Sequence, residues 1–541
     1  MKRKTPALVV ALCLMVPAAI ARAQGGDAFG AFVPAASASA SGSSSAQAAP
    51  SGATSAPAAA SASTSALPPE APAATEEDPV VLGKVSLTYL LERVEVRGNL
   101  RTLSSLVKRY VPFREGQVFD VDDPELELSR YRLLGTGFFQ KVSYSLRRGA
   151  KRGAVVLVVE VTERNTIVVN DVWLGLSATA DRNGEPRPLS AYTGLDAAET
   201  NLAGTGVTLG GAFAVAEDQL ALRLRYFDPS FRGSPWMTHG TLLYNLAREF
   251  YGTRDVRYDD PVGGASRVED FAVVRYRRVG GSVGVGRDLS VSTQLFVDYR
   301  LEGVDAELPR AASHRRGARV EPLEYHLLPG KSLLSALHVD LAHDTRVAPV
   351  LPTRGYLVQA ALDVAMTPLG SSYAFQKVQL RTSRWWQLKN GHVLRLEAFG
   401  GALSGDAPVF ERFYVADLSD LLPDRVLELN TDRRPAPNFF GTDVAEVRFG
   451  EYAAKVQLEH RVPVYRGVRS VYGVDAFTAA GVYGIAARRD IDEPPVGYSG
   501  FARVPIDFTF NLGLRIDTKA GGFVFALANP LGFVPVLRGR R

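Results

Sequence analysis

From about Thr166 to its end, the chain alternates apolar and polar residues with a period of two, in one segment after another. The apolar face of one such segment, QLALRLRYF, carries Leu220, Leu222, Leu224 and Tyr226. A period of two is that of a β-strand. A water-soluble sandwich alternates too, but it needs a second sheet over each apolar face. In lipid every backbone group must be paired, so the pattern predicts a closed antiparallel β-barrel in a membrane.

About fifteen strands can be identified within this predicted barrel domain, residues 165–541. They are predicted at residues 167–177, 190–199, 206–215, 219–228, 237–248, 271–286, 290–300, 332–343, 355–365, 373–387, 392–402, 451–463, 470–483, 505–516 and 522–529. Asn390-Gly391 predicts a tight hairpin turn. Short and long connections alternate, and the longest one, about Ala402 to Gly450, is the sixth at its end of the barrel.

The first residues are typical of an exported protein. Lys2, Arg3 and Lys4 precede a short apolar core, and Ala21-Arg22-Ala23 fits a cleavage site, which predicts a signal peptide over residues 1–23. A lipoprotein site at Cys13 is the alternative. Residues 24–85 are rich in Ala, Ser and Pro and predict a disordered tether. Cys13 is the only cysteine, so the exported chain is expected to hold together without disulfides.

A compact α/β unit is predicted at residues 86–164. A first strand alternates through Val94 and Val96, and Thr102 is expected to cap a helix. Asp123-Pro124 predicts the start of a second helix, for which Gly135 is the expected left-handed stop. Two strands follow, so the predicted order is β-α-α-β-β.

The ordered set VEVRGNLRT…YRLLGTGFFQKVSY…VVLVVEVTER resembles a POTRA domain, the periplasmic module that precedes the barrel of BamA, TamA and their relatives. The residues that carry this resemblance are Gly98, Asn99, Gly135, Gly137, Phe138 and Phe139. It implies a mainly β protein with one POTRA domain before a sixteen-stranded transmembrane barrel of the bacterial surface antigen type. It also implies the outer membrane of a Gram-negative bacterium, with the POTRA domain in the periplasm.

Three turns also resemble those of this family. The residues concerned are Asn201, Gly204 and Gly206 in ETNLAGTG, Asp228 and Pro229 in FDPSF, and Asp344, Arg354 and Gly355 in HDTRVAPVLPTRGY. Ordinary turn chemistry is the alternative explanation for each of them.

The longest loop of the family folds back into the barrel and presents an arginine to acidic residues of the wall. By that resemblance Arg425 is the expected arginine of a loop latch, although the usual following glycine is replaced by Val426. Its expected partners are Glu459 and Asp475. Alternatively, Arg425 is a solvated loop residue and the two acids simply line the lumen.

The resemblance implies a function in inserting or exporting proteins, with unfolded outer-membrane or secreted clients and the lipid bilayer as partners. It leaves periplasmic chaperones and accessory lipoproteins open as further partners. The sequence shows no metal-ligand pair, nucleophile elbow or phosphate loop, so neither an enzyme nor a cofactor is expected, and the net charge of +5 gives no sign of nucleic-acid binding. A passive porin, with Arg223 and Arg225 lining the pore, and a two-partner secretion transporter are the alternatives. The final FVPVLRGRR is short for a last strand.

Overall fold

The computed structural model describes residues 88–180, 186–252, 256–258, 267–269, 271–316, 319–348, 351–493 and 495–526. The predicted signal peptide and tether lie outside the described residues. So does the end of the chain after Ala526, where a sixteenth strand would fall.

The α/β domain contains one four-stranded sheet and two helices. Its elements are β1 (Thr88–Arg97), α1 (Ser104–Arg109), β2 (Val118–Asp120), α2 (Pro124–Gly135), β3 (Phe139–Arg148) and β4 (Ala154–Glu163). The strand order is β2-β1-β4-β3, with β1 and β4 parallel. The sequence prediction missed β2, because three residues are too few to show a period. The helices cover a core that includes Leu91, Leu106, Leu133, Phe139 and Val159.

The ends of the helices are partly as predicted. Asp123 caps α2 and accepts a hydrogen bond of 2.8 Å from the backbone N–H of Glu125. Two expectations were wrong. Thr102 does not cap α1, since Leu103 occupies the N-cap without a side-chain bond. The left-handed residue after α2 is Gly137 (φ 74°) and not Gly135, which ends the helix itself.

The rest of the described chain is almost entirely β-structure. Its strands and one helix are β5 (Ile167–Ala180), β6 (Pro186–Leu202), β7 (Val207–Ala216), β8 (Gln219–Asp228), β9 (Trp236–Tyr251), β10 (Val256–Tyr258), β11 (Arg267–Glu269), β12 (Ala272–Ser290), β13 (Thr293–Glu307), β14 (Ala312–Arg316), β15 (Arg319–Pro322), β16 (Gly330–Asp344), β17 (Gly355–Ala365), β18 (Ala374–Gln387), β19 (Val393–Asp406), β20 (Phe413–Tyr414), β21 (Phe449–Gly450), β22 (Tyr452–Arg466), β23 (Val471–Ala486), α3 (Arg488–Asp492), β24 (Ile506–Thr518) and β25 (Gly521–Ala526). Short 3-10 helices lie at Phe231–Gly233, Thr367–Leu369, Lys389–Gly391, Val409–Glu411, Val415–Asp417, Asp443–Glu446 and Gly500–Arg503.

Within the described residues, fifteen of these strands form one antiparallel sheet in the order β25-β24-β23-β22-β19-β18-β17-β16-β13-β12-β9-β8-β7-β6-β5. Each predicted strand corresponds to one of them, which confirms the barrel strands read from the period of two. Four short strands (β10, β11, β14 and β15) form a separate sheet and β20 pairs with β21, and the sequence prediction missed all six. These strands interrupt long connections, where no alternation signals them.

The two faces of the barrel sheet differ as the alternation predicts. Leu224 and Leu458 are exposed on the outer face, at 59% and 48%, while Glu459 beside Leu458 is 4% exposed. Trp386 lies outside next to Arg384, whereas Trp385 lines the lumen. A helix both long enough and apolar enough to span a membrane is not found among the described residues.

The first and last described strands of the sheet meet at a seam. Here the described residues form a single backbone bond, from Val169 N–H to Ala520 O at 2.7 Å, instead of a ladder. The chain enters the barrel at this seam, directly after the α/β domain. We call this end of the barrel the domain end and the opposite one the far end.

Candidate functional site in the barrel lumen

The connection between β19 and β22, residues 407–451, is the sixth far-end connection and folds back into the barrel, as predicted. We call it the lumen loop. Many of its apolar side chains are almost fully buried, among them Val409, Phe410, Tyr414, Leu421 and Leu429, while Phe439 and Phe440 are exposed. Loops normally run over the surface, so this one is held inside by specific contacts with the wall.

Glu428 joins the lumen loop to two wall arginines. One carboxylate oxygen lies 3.1 Å from Nη2 of Arg223 on β8, and the other accepts a hydrogen bond from Arg278 on β12. Arg278 is 1% exposed and is also held by the buried Glu302 at 2.8 Å. Phe410 covers Arg278, with 4.1 Å between the guanidinium carbon and the ring centre. The guanidinium is therefore enclosed by carboxylates and an aromatic face.

Two further carboxylates of the lumen loop contact cations of the wall. Glu411, which is 5% exposed, lies 2.7 Å from Arg300 Nη1 and 3.2 Å from Lys377 Nζ. Asp420 lies 3.0 Å from Lys455 Nζ. The lumen loop is thus anchored by its acids on the bases of the wall.

The predicted loop latch is corrected in two respects. Arg425, Glu459 and Asp475 have other partners, and the loop is anchored by its acids on bases of the wall instead of by an arginine on acids. Arg425 pairs with Asp417 of the same loop, with Nε 2.9 Å from Oδ2. Glu459 pairs with Arg515 at 2.6 Å, and Asp475 with Arg466 at 2.6 Å. All three groups thus pair with partners other than those expected.

The residues that actually hold the lumen loop were missed, although the sequence carries a signal for them. Between Val409 and Glu428 the loop has five acidic and two basic residues. Cations also recur at lumen-facing positions of the wall strands. A comparison of these two charge patterns predicts acids of the loop on bases of the wall.

A cavity of about 890 Å³ lies between the lumen loop and the α/β domain. Among the described residues, the barrel contributes eight cations to its lining: Arg300, Arg346, Lys377, Arg381, Arg395, Lys455, Arg461 and Arg515. The barrel contributes three carboxylates from the same described set: Asp363, Glu397 and Glu459. Within the described part of the lumen loop, five carboxylates and one cation line it: Glu411, Asp417, Asp420, Asp424, Glu428 and Arg425. The barrel wall of the cavity is therefore basic, and the lumen loop that faces it is acidic.

The α/β domain docks on the turn between β6 and β7, which carries Asn201 and Gly204. Asn201 Nδ2 lies 2.9 Å from Thr102 Oγ1, and Leu103 N–H donates to Gly204 O at 2.9 Å. A Cβ on Gly204 (φ +77°) would lie 2.0 Å from Arg101 O. This predicted turn motif therefore contacts the domain, in addition to its turn chemistry. It also explains why Thr102 is not a helix cap.

The third residue of that motif, Gly206, faces the same domain. A Cβ on Gly206 would lie 2.8 Å from Leu106 Cδ2 and 3.0 Å from Pro229 Cγ. The turn that contains Asp228 and Pro229 therefore packs beside the first turn. Asp228 Oδ1 also accepts the Ser230 N–H at 2.8 Å.

Two arginines of the α/β domain bind turns at the domain end. Arg132 donates to Val291 O at 2.8 Å and pairs with Asp288, and Arg109 donates to Ser234 O at 3.1 Å. Arg164, after β4, binds Asp517 at 2.7 Å beside the seam. The domain thus covers this end of the lumen.

The third predicted turn, which contains Asp344, Arg354 and Gly355, is explained by hydrogen bonds and close backbone contacts within the turn. Asp344 accepts the N–H of Arg346 at 3.0 Å, and a Cβ on Gly355 (φ +102°) would lie 2.3 Å from Thr345 O. Arg354 is exposed and donates to Gln387 at 2.8 Å.

The predicted POTRA motif residues serve the α/β domain itself. A Cβ on Gly98 (φ +83°) would lie 2.1 Å from Val161 O, so only glycine fits beside β4. Asn99 Nδ2 donates to Thr102 O at 2.9 Å. Phe138 and Phe139 are buried edge-to-face in the core.

Glu163, at the end of β4, stabilises the segment that docks. Its carboxylate accepts the N–H groups of Arg101 at 3.0 Å and Thr102 at 2.7 Å. Burial raises the pKa of Glu163, but these backbone donors outweigh it, so the pKa lies below its ordinary value. Because the folded-state pKa is lowered, this stabilisation is present above the unfolded pKa of about 4.3 and is lost as the pH falls through the folded pKa.

We therefore expect Glu163→Gln to lower the free energy of unfolding of the α/β domain by about 1–3 kcal/mol at neutral pH. Its effect should disappear in acid, where the wild-type carboxyl is also neutral. Urea unfolding, followed by a fluorophore at exposed position 140, measures this. Glu160→Gln is the matched control, since Glu160 is exposed on the same strand. Equal effects of the two substitutions would contradict the assignment.

No group of three or more His, Cys, Asp or Glu side chains that could hold a metal ion occurs among the described residues.

Comparisons with known proteins match both parts of the chain. The Omp85 superfamily domain model matches residues 201–417, and the POTRA model, a surface antigen variable number repeat, matches residues 89–164. The outer membrane protein assembly factor BamA of Nitratidesulfovibrio vulgaris is 25% identical over 356 residues, which cover 63% of this chain and 38% of that protein. The chain therefore matches well under two thirds of this relative's length.

Among solved structures, BamA from Haemophilus ducreyi lacking POTRA domains 1-3 aligns with a TM-score of 0.42 at 14% identity, over 81% of each chain. CdiB from Escherichia coli aligns with a TM-score of 0.49 at 10% identity, over 80% of this chain and 72% of that one. The two family models and the BamA relative agree with an α/β domain before an antiparallel barrel sheet. The chain thus carries an Omp85 superfamily domain and a POTRA domain, the combination of a BamA/TamA-type protein of the Gram-negative outer membrane with its POTRA domain in the periplasm.

Proposed function

We propose that this protein inserts β-barrel proteins into the outer membrane or exports proteins across it. The observation that carries the proposal is the docked POTRA domain beside a seam that holds by a single backbone bond, from Val169 to Ala520, among the described residues. A client captured by the domain would reach the seam directly. Folding of the client in lipid would supply the driving force, without nucleotide.

The capture surface in this proposal is β3, which is an edge strand. It pairs with β4 on one side only, and Gln140, Lys141, Ser145 and Leu146 along it are exposed. An unpaired strand edge accepts an extended segment through main-chain hydrogen bonds. An unfolded outer-membrane or secreted protein would add to the sheet there.

The gate in this proposal is the seam, which Arg164 connects to the POTRA domain. The Arg164 side chain is 10% exposed, and its guanidinium lies over the ring of Tyr472 at 4.7 Å while it binds Asp517. Movement of the domain would therefore be transmitted to the last described hairpin. The filled lumen speaks against a passive porin, since the lumen loop occupies the path of a solute.

The test is a depletion strain whose outer-membrane proteome is quantified. We expect a defined set of barrel or surface proteins to fall several-fold on depletion and to recover with the wild-type chain. The client proteins should not recover when the rescuing chain carries a photo-crosslinker at Ser145 and its β3 edge has been blocked by crosslinking. If no protein falls while solute uptake changes, the chain is a pore and the proposal is wrong.

A further inference from the structure

More cations than carboxylates of the wall line the lumen cavity, although carboxylates behind the lining pair with three of these cations: Glu302 with Arg300, Asp344 with Arg346 and Asp475 with Arg461. Among the described lining residues the barrel supplies eight cations and three carboxylates. Further negative charge comes from the lumen loop, which supplies five carboxylates and one cation within the same described lining. The wall therefore already binds an acidic polypeptide, which belongs to the same chain.

Within the described residues, one cation of this wall makes no direct ion pair, although Glu397 lies within range of its charge. Arg381 lines the cavity and is exposed, yet within the described residues it makes neither a hydrogen bond nor an ion pair, and its contact is the ring of Phe399 at 5.7 Å. A guanidinium presents five donors in a fixed fork. Arg381 is thus a vacant position for a carboxylate.

Side chains of the wall also form hydrogen bonds with the main chain of the lumen loop. Asn245 donates to Leu427 O at 3.1 Å, Gln219 donates to Asn430 O at 2.8 Å, and Thr509 Oγ1 accepts the Asp420 N–H at 2.9 Å. Main-chain groups are common to all polypeptides. A wall that combines them with cations favours an acidic polypeptide over a small anion.

The anchor of the lumen loop that is easiest to replace is Glu428. It sits with Leu427 in a tight turn where both have left-handed backbone, at φ 69° and φ 48°. Each left-handed residue other than glycine costs roughly 1–2 kcal/mol. The Glu428 side chain is also 37% exposed to the cavity. A competing carboxylate can therefore reach its two arginines.

We propose that the lumen cavity is a binding site for an acidic, extended polypeptide segment, which pairs with Arg381 and replaces Glu428 on Arg223 and Arg278. The inference rests on the proposed function, because the segment would belong to a client. Such a segment would enter from the domain end, where Gly137 and Arg164 of the periplasmic part line the same cavity.

The test uses the purified full chain in lipid nanodiscs and a fluorescent probe of alternating Glu and Ser, roughly ten residues and about 33 Å long when extended. Matched peptides carry Gln or Lys in place of Glu, and fluorescence anisotropy measures affinity. We expect the Glu peptide to bind best and its affinity to fall as salt screens the charges. Equal binding of the Gln peptide would overturn the proposal.

Three substitutions separate the site from general misfolding. Glu428→Gln removes the competing charge and should tighten binding of the Glu peptide by roughly five- to ten-fold, the effect of about 1–1.4 kcal/mol. Arg381→Gln should weaken it by a similar factor. Arg384→Gln, on the same strand but outside next to Trp386, is the control and should change nothing.

Glu428→Gln is expected to raise the affinity for the Glu peptide and leave the affinity for the Lys peptide without a gain, so it complements the loss expected from Arg381→Gln. Unchanged affinity in both Glu428→Gln and Arg381→Gln would overturn the site. The depletion experiment is independent of this result. If peptide binding follows the expected pattern while no client falls on depletion, the binding site stands and the proposed function fails.

Discussion

Glu411→Lys should open the lumen and raise the single-channel conductance of the purified protein several-fold in planar bilayers. Glu411 accepts contacts of 2.7 Å from Arg300 and 3.2 Å from Lys377, in a site where it is 5% exposed. A lysine there removes both attractions and adds a third cation. Repulsion between two charges about 4 Å apart is on the order of 4 kcal/mol at the effective dielectric constant of about 20 near a protein surface.

This energy acts at the start of the lumen loop, next to Phe410, which covers Arg278. The loop therefore loses its anchor and part of its aromatic contact together. We expect the loop to leave the wall at this end while the barrel strands remain paired. Unchanged far-UV circular dichroism would show that the strands persist.

Glu446→Lys is the matched control for this charge change. Glu446 belongs to the same loop, but its hydrogen bond goes to Tyr498 and not to a cation of the wall. We expect conductance close to that of the wild-type chain. Adding Lys377→Glu to Glu411→Lys reverses one pair and should restore much of the closed state. A Glu411→Lys barrel that stays closed would show that apolar packing alone holds the lumen loop.

The barrel strands could be predicted because their signal is local. Each strand carries its own period of two, so Leu222 and Leu224 are placed on the outer face without any knowledge of neighbours. Asp123 likewise caps α2 through a bond two residues away. Interactions between residues only a few positions apart can therefore be predicted from the sequence alone.

Which residues pair to anchor the loop could not be derived in the same way. Arg425 finds its partner in Asp417, eight residues earlier, and so does not reach Glu459. Which acid meets which base depends on the wall strands that face the loop, and Glu428 meets Arg278 across 150 residues. The family resemblance supplied the position of the loop, while the charges of this chain determine how it is held.

The docking turn shows the same limit at a smaller scale. Gly204 was expected for its turn chemistry, and its left-handed backbone agrees. Its second role, close approach to Arg101, arises only when two distant segments meet. A glycine in a turn motif gives no sign of what packs against it.

Gly204→Ala should release the POTRA domain from the barrel. A Cβ there would lie 2.0 Å from Arg101 O, whereas real Cβ contacts stay above about 3 Å, so the turn and the domain must separate. That separation breaks the 2.9 Å bond from Leu103 N–H to Gly204 O and the contact of Asn201 with Thr102. Each lost bond costs about 1 kcal/mol, in addition to roughly 1–2 kcal/mol for alanine in a left-handed conformation.

Gly233→Ala isolates the effect of docking from that of backbone strain. Gly233 has φ +75°, close to the +77° of Gly204, but a Cβ on it meets nothing within 4 Å. Both substitutions carry the conformational cost, and only one pushes on the domain. Spin labels at exposed positions 140 and 389 should therefore give a broad, shifted distance distribution in Gly204→Ala and a wild-type one in Gly233→Ala. If release of the domain also abolishes rescue of the depletion strain, then capture and insertion need the docked state. A narrow, unshifted distribution in Gly204→Ala would instead mean that Arg109, Arg132 and Arg164 hold the domain without this turn.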